Sequence, residues 1–284
     1  MKKTILSLIA CVCILASQAT EIKLSQVAEE ASTVNAGVAV SPAHIYFDVT
    51  PGESAVSNVT LNNDTDKQNS FKVSFNDFNM NGYGKSEFLA PGTGDHSLSK
   101  WINVSPSFVD LKPGEKVELT VTVMVPLDDP AANKAAWAVM LIEQTEERKT
   151  IDPGTDIEKI AFGVIPSFAF GVFMYQNPPN VAVSSVDIIN FQFDKNESNS
   201  TLKIDVENIG DGISHCTVYV DLTNLQTGET EKMVMKRFTI VPGLKRAFTF
   251  GLPEGIPSGQ YSAVSVLDFG SEEELKAAEI EFNL

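Results

Sequence analysis

The chain has 284 residues, of which 43% are hydrophobic and 8% are aromatic, and its formal net charge at pH 7 is −16. This length and apolar content allow one large domain or two ordinary domains, each with its own hydrophobic core. The acidic balance repels phosphate backbones and anionic lipid head groups, which argues against nucleic-acid binding and against docking on anionic membranes.

The first residues have the features of a secretory signal peptide. A basic start at Lys2–Lys3 precedes the apolar stretch Ile5–Leu15, which is too short to span a bilayer. The segment Ser17–Ala19 then supplies the small residues of a cleavage site. We therefore expect residues 1–19 to be removed on export and residues 20–36 to form a flexible leader.

This prediction places the mature protein in the periplasm, outside the cell or at the cell surface. Lipid anchoring at Cys11, which lies in the lipobox-like sequence LIAC, is the alternative. Cys11 and Cys13 fall within the signal, so Cys216 is the one cysteine of the predicted mature chain and no intrachain disulfide can form. Its surroundings, HCTVYVDL, predict a strand with a buried thiol.

Strand-like runs recur between turn signals along the rest of the chain. The first series comprises Val38–Val49, Ser54–Leu61, Ser70–Phe78, Ile102–Val109, Val117–Val125, Ala135–Glu143 and Ile160–Tyr175. After the proline-containing segment Gln176–Asn180, the second comprises Val181–Phe193, Thr201–Ile209, Cys216–Leu222, Glu231–Ile240, Lys245–Phe250, Gln260–Leu267 and Ala277–Phe282. The pattern predicts an all-β chain of two Ig-like antiparallel β-sandwich domains, at residues 37–177 and 178–284.

Three Pro-Gly pairs each precede an alternating run, at Pro51–Gly52, Pro113–Gly114 and Pro242–Gly243. Proline followed by glycine is typical of a type II turn, in which the glycine has a positive φ. The alternating run after each turn buries a single face. The repeated phrase therefore indicates architecture and says nothing by itself about function.

The predicted mature sequence contains no arrangement that is typical of catalysis. Asp95–Ser97 holds the residue types of a catalytic triad, but triad partners meet across a fold and not as chain neighbours. His215 and Cys216 would point to opposite faces of a strand. We therefore predict a protein that is not an enzyme, with no cofactor and no metal site.

One acidic turn leaves an alternative open. Asn62–Asn69 (NNDTDKQN) offers Asp64 and Asp66 as oxygen ligands, but it lacks the central glycine and the terminal glutamate of a calcium loop. A solvated hairpin turn is the favoured interpretation, and a cation site is the alternative.

The run Ile160–Tyr175 has two different faces. Large residues occupy even positions and are predicted to face the core: Phe162, Val164, Phe168, Phe170, Val172 and Met174. The opposite face is made mostly of small residues, which would let another chain approach closely. Pro166 has no N–H to donate, which predicts an edge strand or a bulge, and the polar segment Gln144–Ile157 before it is predicted to be a mobile loop.

An edge strand beside a mobile loop can pair with a strand of another protein. We therefore predict a partner-binding strand whose contact residues are Gly163, Ile165, Ser167, Ala169, Gly171 and Phe173. The alternative is an ordinary last strand that the second domain covers.

Two stretches resemble known families. Trp101–Gln144 resembles the first domain of PapD-type periplasmic pilus chaperones in its L-x-P-G turn, its following strand and its proline-acidic turn. Asp48–Gly84 resembles the WxL-interacting proteins of Gram-positive surfaces, which have a similar P-G-E-S turn leading into L-x-N-N. The resemblance implies PapD-like or fibronectin-like sandwiches and a protein partner, such as a surface or fimbrial-type subunit.

The sequence departs from the chaperone pattern at one point. Pilus chaperones anchor the C-terminal carboxylate of their subunit with an arginine in the first strand and a lysine in the last strand of domain one. Ala39–Val49 contains no arginine, and Ile160–Tyr175 contains no lysine. The prediction is a secreted cell-envelope protein that binds another protein, chaperone-like or as a surface scaffold, through an edge strand of domain one. The alternative is a glycan- or peptidoglycan-binding module that uses loops of domain one. Trp101, Tyr83 and Trp137 are its candidate aromatic residues, although Trp101 and Trp137 open strand-like runs and are expected in the core.

Overall fold

A computed structural model describes residues 37–145, 168–179, 184–195, 200–271 and 274–284. Over these ranges the chain consists of strands and turns, with two short 3-10 helices at Ser99–Trp101 and Pro130–Asn133. None of the helices found there has the length and apolar character that a membrane span needs. The predicted signal peptide and leader lie outside the described residues.

The first part of the chain forms a two-layer sandwich. Its strands are β1 (Val38–Ser41), β2 (His44–Phe47), β3 (Ser54–Asn63), β4 (Asn69–Met80), β5 (Ser86–Leu89), β6 (Ile102–Ser105), β7 (Phe108–Leu111), β8 (Lys116–Met124), β9 (Ala136–Thr145) and β10 (Ala169–Gln176). One sheet has the order β1-β3-β8-β6, and the other has the order β2-β10-β9-β4-β5 with β7 beside β4. Alternation along β3 and β8 buries Val59, Leu61, Leu119 and Val121 between the layers.

The second part forms another sandwich. Its strands are β11 (Val186–Lys195), β12 (Ser200–Asn208), β13 (Ser214–Asn224), β14 (Thr230–Lys232), β15 (Lys236–Ile240), β16 (Lys245–Gly251), β17 (Gln260–Asp268) and β18 (Lys276–Asn283). One sheet has the order β11-β12-β16, and the other has the order β14-β13-β17-β18 with β15 beside β13. Each sandwich has its own hydrophobic core, so the predicted fold of two Ig-like β-sandwiches is confirmed. The described strand pairs are antiparallel as predicted, except that β2 and β10 pair in parallel.

At two Ser-Pro sequences, the chain passes from one sheet of the first sandwich to the other. The single strand predicted at Val38–Val49 is divided at Pro42 into β1, which pairs with β3, and β2, which pairs with β10. The strand predicted at Ile102–Val109 is likewise divided at Pro106 into β6 and β7, which belong to different sheets. Both Ser–Pro peptide bonds are cis. Because proline has no N–H to donate, it interrupts a ladder where the chain crosses between layers.

The strand predicted at Glu231–Ile240 is also divided, into β14 and β15, which pair with different stretches of β13. The sequence analysis missed β5, a four-residue strand beside β4.

All three glycines of the Pro-Gly pairs have positive φ angles, as predicted: +90° at Gly52, +73° at Gly114 and +72° at Gly243. A side chain in this left-handed region would crowd the backbone, so glycine is the residue that makes each turn possible.

The two sandwiches contact each other through a third hydrophobic cluster. Phe78, Trp137 and Tyr175 of the first domain pack there with Ile213 and Val241 of the second. The side chain of Asn177 accepts a hydrogen bond from the Ile213 N–H (2.9 Å) and donates one to the Ile213 carbonyl (2.9 Å). At the tip of the β4–β5 hairpin, the Ala247 N–H donates to the Gly82 carbonyl at 2.8 Å. Apolar packing and backbone hydrogen bonds therefore join the domains.

Candidate functional site

The strand β10 is paired on both sides over only part of its length. It pairs with β9 along all of Ala169–Gln176, but it pairs with β2 only from Phe173 to Gln176. The gap arises because the chain leaves this sheet for the other layer between His44 and Ser41. In the described part of the chain, no strand lies beside Ala169–Val172 on the side away from β9, and we call this side the β10 edge.

The backbone register shows which groups face the β10 edge. The Phe168 carbonyl accepts a hydrogen bond from the Gln144 N–H of β9 at 2.9 Å, and the Phe173 N–H donates in the opposite direction to the Ala43 carbonyl at 2.9 Å. In an antiparallel pair the direction alternates from one residue to the next. The N–H and C=O groups of Ala169 and Gly171 therefore point away from β9, towards the β10 edge.

The side chains of β10 divide between two faces as the sequence analysis expected. The prediction for Phe168 is wrong: it was expected to face the core, but it lies just before the first residue of β10 and is 62% exposed. Val172 and Met174 are fully buried in the core of the first sandwich, and Phe170 packs against that core. Ala169 and Gly171 lie exposed on the outer face. A Cβ atom built on Gly171 would lie 3.4 Å from Val139 Cγ2, which is an ordinary contact, so the position has room for a side chain.

The six predicted contact residues fall into three groups. Gly163, Ile165 and Ser167 lie outside the described residues, as do Pro166 and the predicted loop beyond Thr145, where β9 ends. Ala169 and Gly171 lie together on the outer face. Phe173 is half-buried between the domains, with its ring edge-on to Phe78 at 5.2 Å between centroids. The second domain therefore covers the C-terminal half of the outer face and leaves the N-terminal half open.

A ring cluster that the sequence analysis did not identify lies beside β10 at the domain interface. His44 and Tyr46 project from β2, and the Tyr46 ring lies 3.9 Å from the ring of His215, which belongs to β13. The cluster borders a cleft of about 340 Å³ that is also lined by Arg237 and Thr239 of β15. These residues are far apart in sequence, and no local pattern links them.

Burial lowers the pKa of both His44 and His215 below the usual value of 6.5. Tyr175 of β10 is buried behind the rings, which raises the pKa of its hydroxyl. Arg246 of β16 approaches the same region and donates a hydrogen bond from Nη1 to the Thr239 carbonyl at 3.4 Å. The second domain therefore contributes cationic side chains to an interface that is otherwise lined by aromatic rings.

The residues of the triad-like sequence have separate partners. Ser97 Oγ donates to the buried Asp77 carboxylate at 2.9 Å, and His96 Nδ1 lies 2.7 Å from the Ala135 carbonyl. His96 also stacks on Trp137 with ring centroids 4.4 Å apart. The Gly94 N–H also donates to the Asp77 carboxylate, so Asp77 binds the 90–97 loop at Gly94 and at Ser97. These contacts hold the loop in place and do not form a catalytic relay.

In the acidic turn, Asn62 Nδ2 donates to both carboxylate oxygens of Asp64, at 2.8 and 2.9 Å. Where the structure describes the chain, no group of three His, Cys, Asp or Glu side chains is placed to hold a metal ion.

Two of the three aromatic residues considered for a glycan site are buried. Trp101 and Trp137 are 8% and 7% exposed, whereas Tyr83 is 85% exposed. Trp137 Nε1 also donates to the Phe78 carbonyl at 2.8 Å, which fixes the indole in the interdomain cluster. A glycan-binding platform would therefore depend on Tyr83.

No protein-family model matches the sequence, and no curated protein matches it in sequence. Similar solved structures include the E. coli chaperone DraB, at 13% identity over 86% of this chain and 98% of that chain, with a TM-score of 0.41. The Pseudomonas aeruginosa CupB2 chaperone is 11% identical over 87% of this chain and 100% of that chain (TM-score 0.39). A chain of the Salmonella enterica SafA pilin complex with the SafB chaperone is 13% identical over 86% and 96% (TM-score 0.40).

The chain is thus similar in structure, over most of its length, to PapD-like periplasmic pilus chaperones. The two β-sandwiches of this structure agree with the fold that the resemblance to these chaperones implied. The resemblance of Asp48–Gly84 to WxL-interacting proteins stays a prediction.

Proposed function

We propose that this chain is an exported protein of the bacterial cell envelope that binds a strand of another protein along the β10 edge. The observation that carries the proposal is that none of the described strands pairs with Ala169–Val172 on the side away from β9. The main-chain groups of Ala169 and Gly171 face that gap, and an added strand would satisfy them. Unpaired strand edges are otherwise a liability, since they template uncontrolled association.

The outer face beside the β10 edge supports the proposal. Ala169 and Gly171 rise little above the sheet, and their cross-strand neighbours on β9 are Glu143 and Leu141. Glu143 is in turn opposite Lys72 of β4, so opposite charges lie side by side at the rim of this face. A partner strand would gain affinity from main-chain hydrogen bonds, and its outward side chains would lie over the shallow surface.

The partner class comes from the sequence resemblance, which implies a surface or fimbrial-type subunit. Whether the chain acts on this partner as a chaperone or holds it as a scaffold depends on whether the complex is transient. The predicted signal peptide places both roles in the periplasm or at the cell surface.

The test immobilises three forms of the mature protein, the wild type and two variants. It measures which proteins each form captures from the native envelope fraction. Gly171→Val adds a branched side chain beside the β10 edge. Gly251→Val is the matched control, because Gly251 lies in strand β16 of the second domain with open space around its Cβ position. We expect wild type and Gly251→Val to retain the same protein and Gly171→Val to lose it.

Equal retention by all three forms would refute the β10 edge as the binding site. A glycan array with the same three forms would then test the alternative, and Tyr83→Ala would be the variant expected to lose glycan binding.

A further inference from the structure

Two histidines from different domains meet at the domain interface. His44 lies on β2 of the first domain and His215 on β13 of the second, and the ring of Tyr46, which is also on β2, packs against His215. The Tyr46 ring is tilted by 56° against His215 with centroids 3.9 Å apart, and it lies nearly parallel to the His44 ring at 6.3 Å. The rings form a bridge between the two sandwiches.

The charged and titratable groups around this bridge come from three strands and from the residue that follows β2, and they are mostly cationic or neutral. Asp48 follows β2, Tyr175 faces from β10, Arg237 lies on β15 and Arg246 on β16. The Thr239 hydroxyl lies 3.2 Å from His215 Nδ1. In the described part of the chain, no carboxylate forms an ion pair with either histidine, and Asp48 acts on His215 only through its longer-range charge.

We propose that the His44–Tyr46–His215 bridge makes the docking of the two domains sensitive to acid, so that protonation of the two histidines loosens the interface. Protonation would place two like charges on opposite sides of the interface, in a region that already contains Arg237 and Arg246. This proposal does not depend on whether the β10 edge binds a partner.

The direction of the effect follows from linkage. The pKa of each histidine is lowered in the docked state, chiefly because burial disfavours the charged ring, and it returns towards 6.5 when the domains separate. The separated state therefore binds more protons, so docking is most stable above pH 6.5 and weakens as the pH falls below that value. Both residues remain more than a third exposed, so solvent screening keeps the effect of each protonation on docking small.

Two amide groups report the separation directly. The Ala247 N–H donates to Gly82 and the Ile213 N–H donates to Asn177, in both cases across the interface. Hydrogen–deuterium exchange at these amides, corrected for the pH dependence of intrinsic exchange, gives protection factors between about pH 7.5 and about pH 5. We expect both factors to fall with pH in the wild type, while that of Ile204, a core residue of β12, stays constant.

Two pairs of substitutions remove the titration in different ways. His44→Phe with His215→Phe keeps rings at both positions, and His44→Gln with His215→Gln keeps hydrogen-bonding groups. In both double variants, the protection factors of the Ala247 and Ile213 amides should no longer fall when the pH is lowered. His96→Gln, which alters the third histidine of the described chain, should keep it.

The proposal is overturned if the wild-type protection factors are equal at both pH values. It is also overturned if the fall persists in either double variant, or if only His96→Gln abolishes it. Should both double variants fail to fold, NMR titration of the wild-type imidazoles decides the question, because a pKa of 6.5 or above for both rings contradicts the mechanism.

Discussion

Asn63 and Asn208 occupy the same position in the two sandwiches and hold equivalent Pro-Gly turns. Asn63 Nδ2 donates to the Leu111 carbonyl at 3.0 Å, and Asn208 Nδ2 donates to the Ile240 carbonyl at 3.0 Å, two residues before each proline. The backbone carbonyl of each asparagine accepts from the turn glycine: Gly114 N–H at 2.7 Å and Gly243 N–H at 3.0 Å. Both side chains are buried. The two domains therefore use the same buried hydrogen-bonding arrangement to join the end of a strand to a turn.

Removing either asparagine side chain should destabilise the domain that contains it. Asn63→Ala or Asn208→Ala leaves buried carbonyls without a donor, which costs about 1–3 kcal/mol of unfolding free energy. Urea denaturation measures the loss. Asn62→Ala is the control, because its amide contacts only the neighbouring Asp64 carboxylate at the surface, and its change should stay within about 0.5 kcal/mol. An equal effect of Asn62→Ala and Asn63→Ala would contradict this account.

Valine should have different effects on stability at Gly171, which lies in strand β10, and at Gly114, which lies in a turn. Gly171→Val should leave the melting temperature nearly unchanged, because its Cβ would lie 3.4 Å from Val139 Cγ2 and 3.8 Å from Phe173 Cε2, and because valine favours strands. Gly114→Val should cost about 1–2 kcal/mol, because φ is +73° there.

Thermal unfolding followed by circular dichroism compares the two variants. If Gly171→Val unfolds the domain, the outer face of β10 must be packed internally. Met174→Ala on the core face is the positive control, and it should cost about 2–5 kcal/mol, since Met174 is fully buried.

Cys216 should be almost unreactive in the folded protein. Its side chain is buried, and burial raises the pKa of the thiol to about 12. A maleimide or disulfide reagent at about pH 8 should therefore label it slowly in native protein and quickly in denaturant. Rapid labelling of the native protein, or a disulfide-linked dimer on a non-reducing gel, would show that the thiol is accessible.

The same pKa shift predicts a loss of stability in alkali. The folded-state pKa lies above the ordinary value of 9.0, so the unfolded chain loses this proton first. The contribution of the thiol is complete below pH 9 and disappears as the pH rises towards 12. Cys216→Ala should show a shallower decline of melting temperature with pH over that window than the wild type.

Asn177 should govern how the two domains unfold. Asn177→Ala removes both hydrogen bonds to Ile213, so the interface should weaken and calorimetry should show two separated transitions or a broader one. Asn177→Asp keeps an acceptor for the Ile213 N–H and loses the donor, so its effect on the interface should differ from that of Asn177→Ala. A single, unshifted transition in both variants would mean that the hydrophobic cluster alone couples the domains.

Much of the fold and part of the candidate site could be predicted from the sequence, because those features depend on local geometry. Side chains alternate along any strand, so the spacing of Phe170, Val172 and Met174 was enough to separate the core face of β10 from Ala169 and Gly171. Proline followed by glycine restricts φ within the turn itself, which is why the positive φ at Gly114 was predictable. The burial of Cys216 was predicted from its position in a strand-like run.

Only the tertiary structure decided what depends on contacts between distant segments. The sequence shows Pro42 in an apolar run, but the departure of β1 to the opposite sheet depends on pairing with β3. Because of that departure, β2 pairs with β10 only from Phe173 onwards, and no other described strand lies at the β10 edge. Likewise, His44 and His215 meet because the interdomain cluster docks one sandwich on the other. Such contacts are set by packing across the whole chain, and no residue spacing within one strand specifies them.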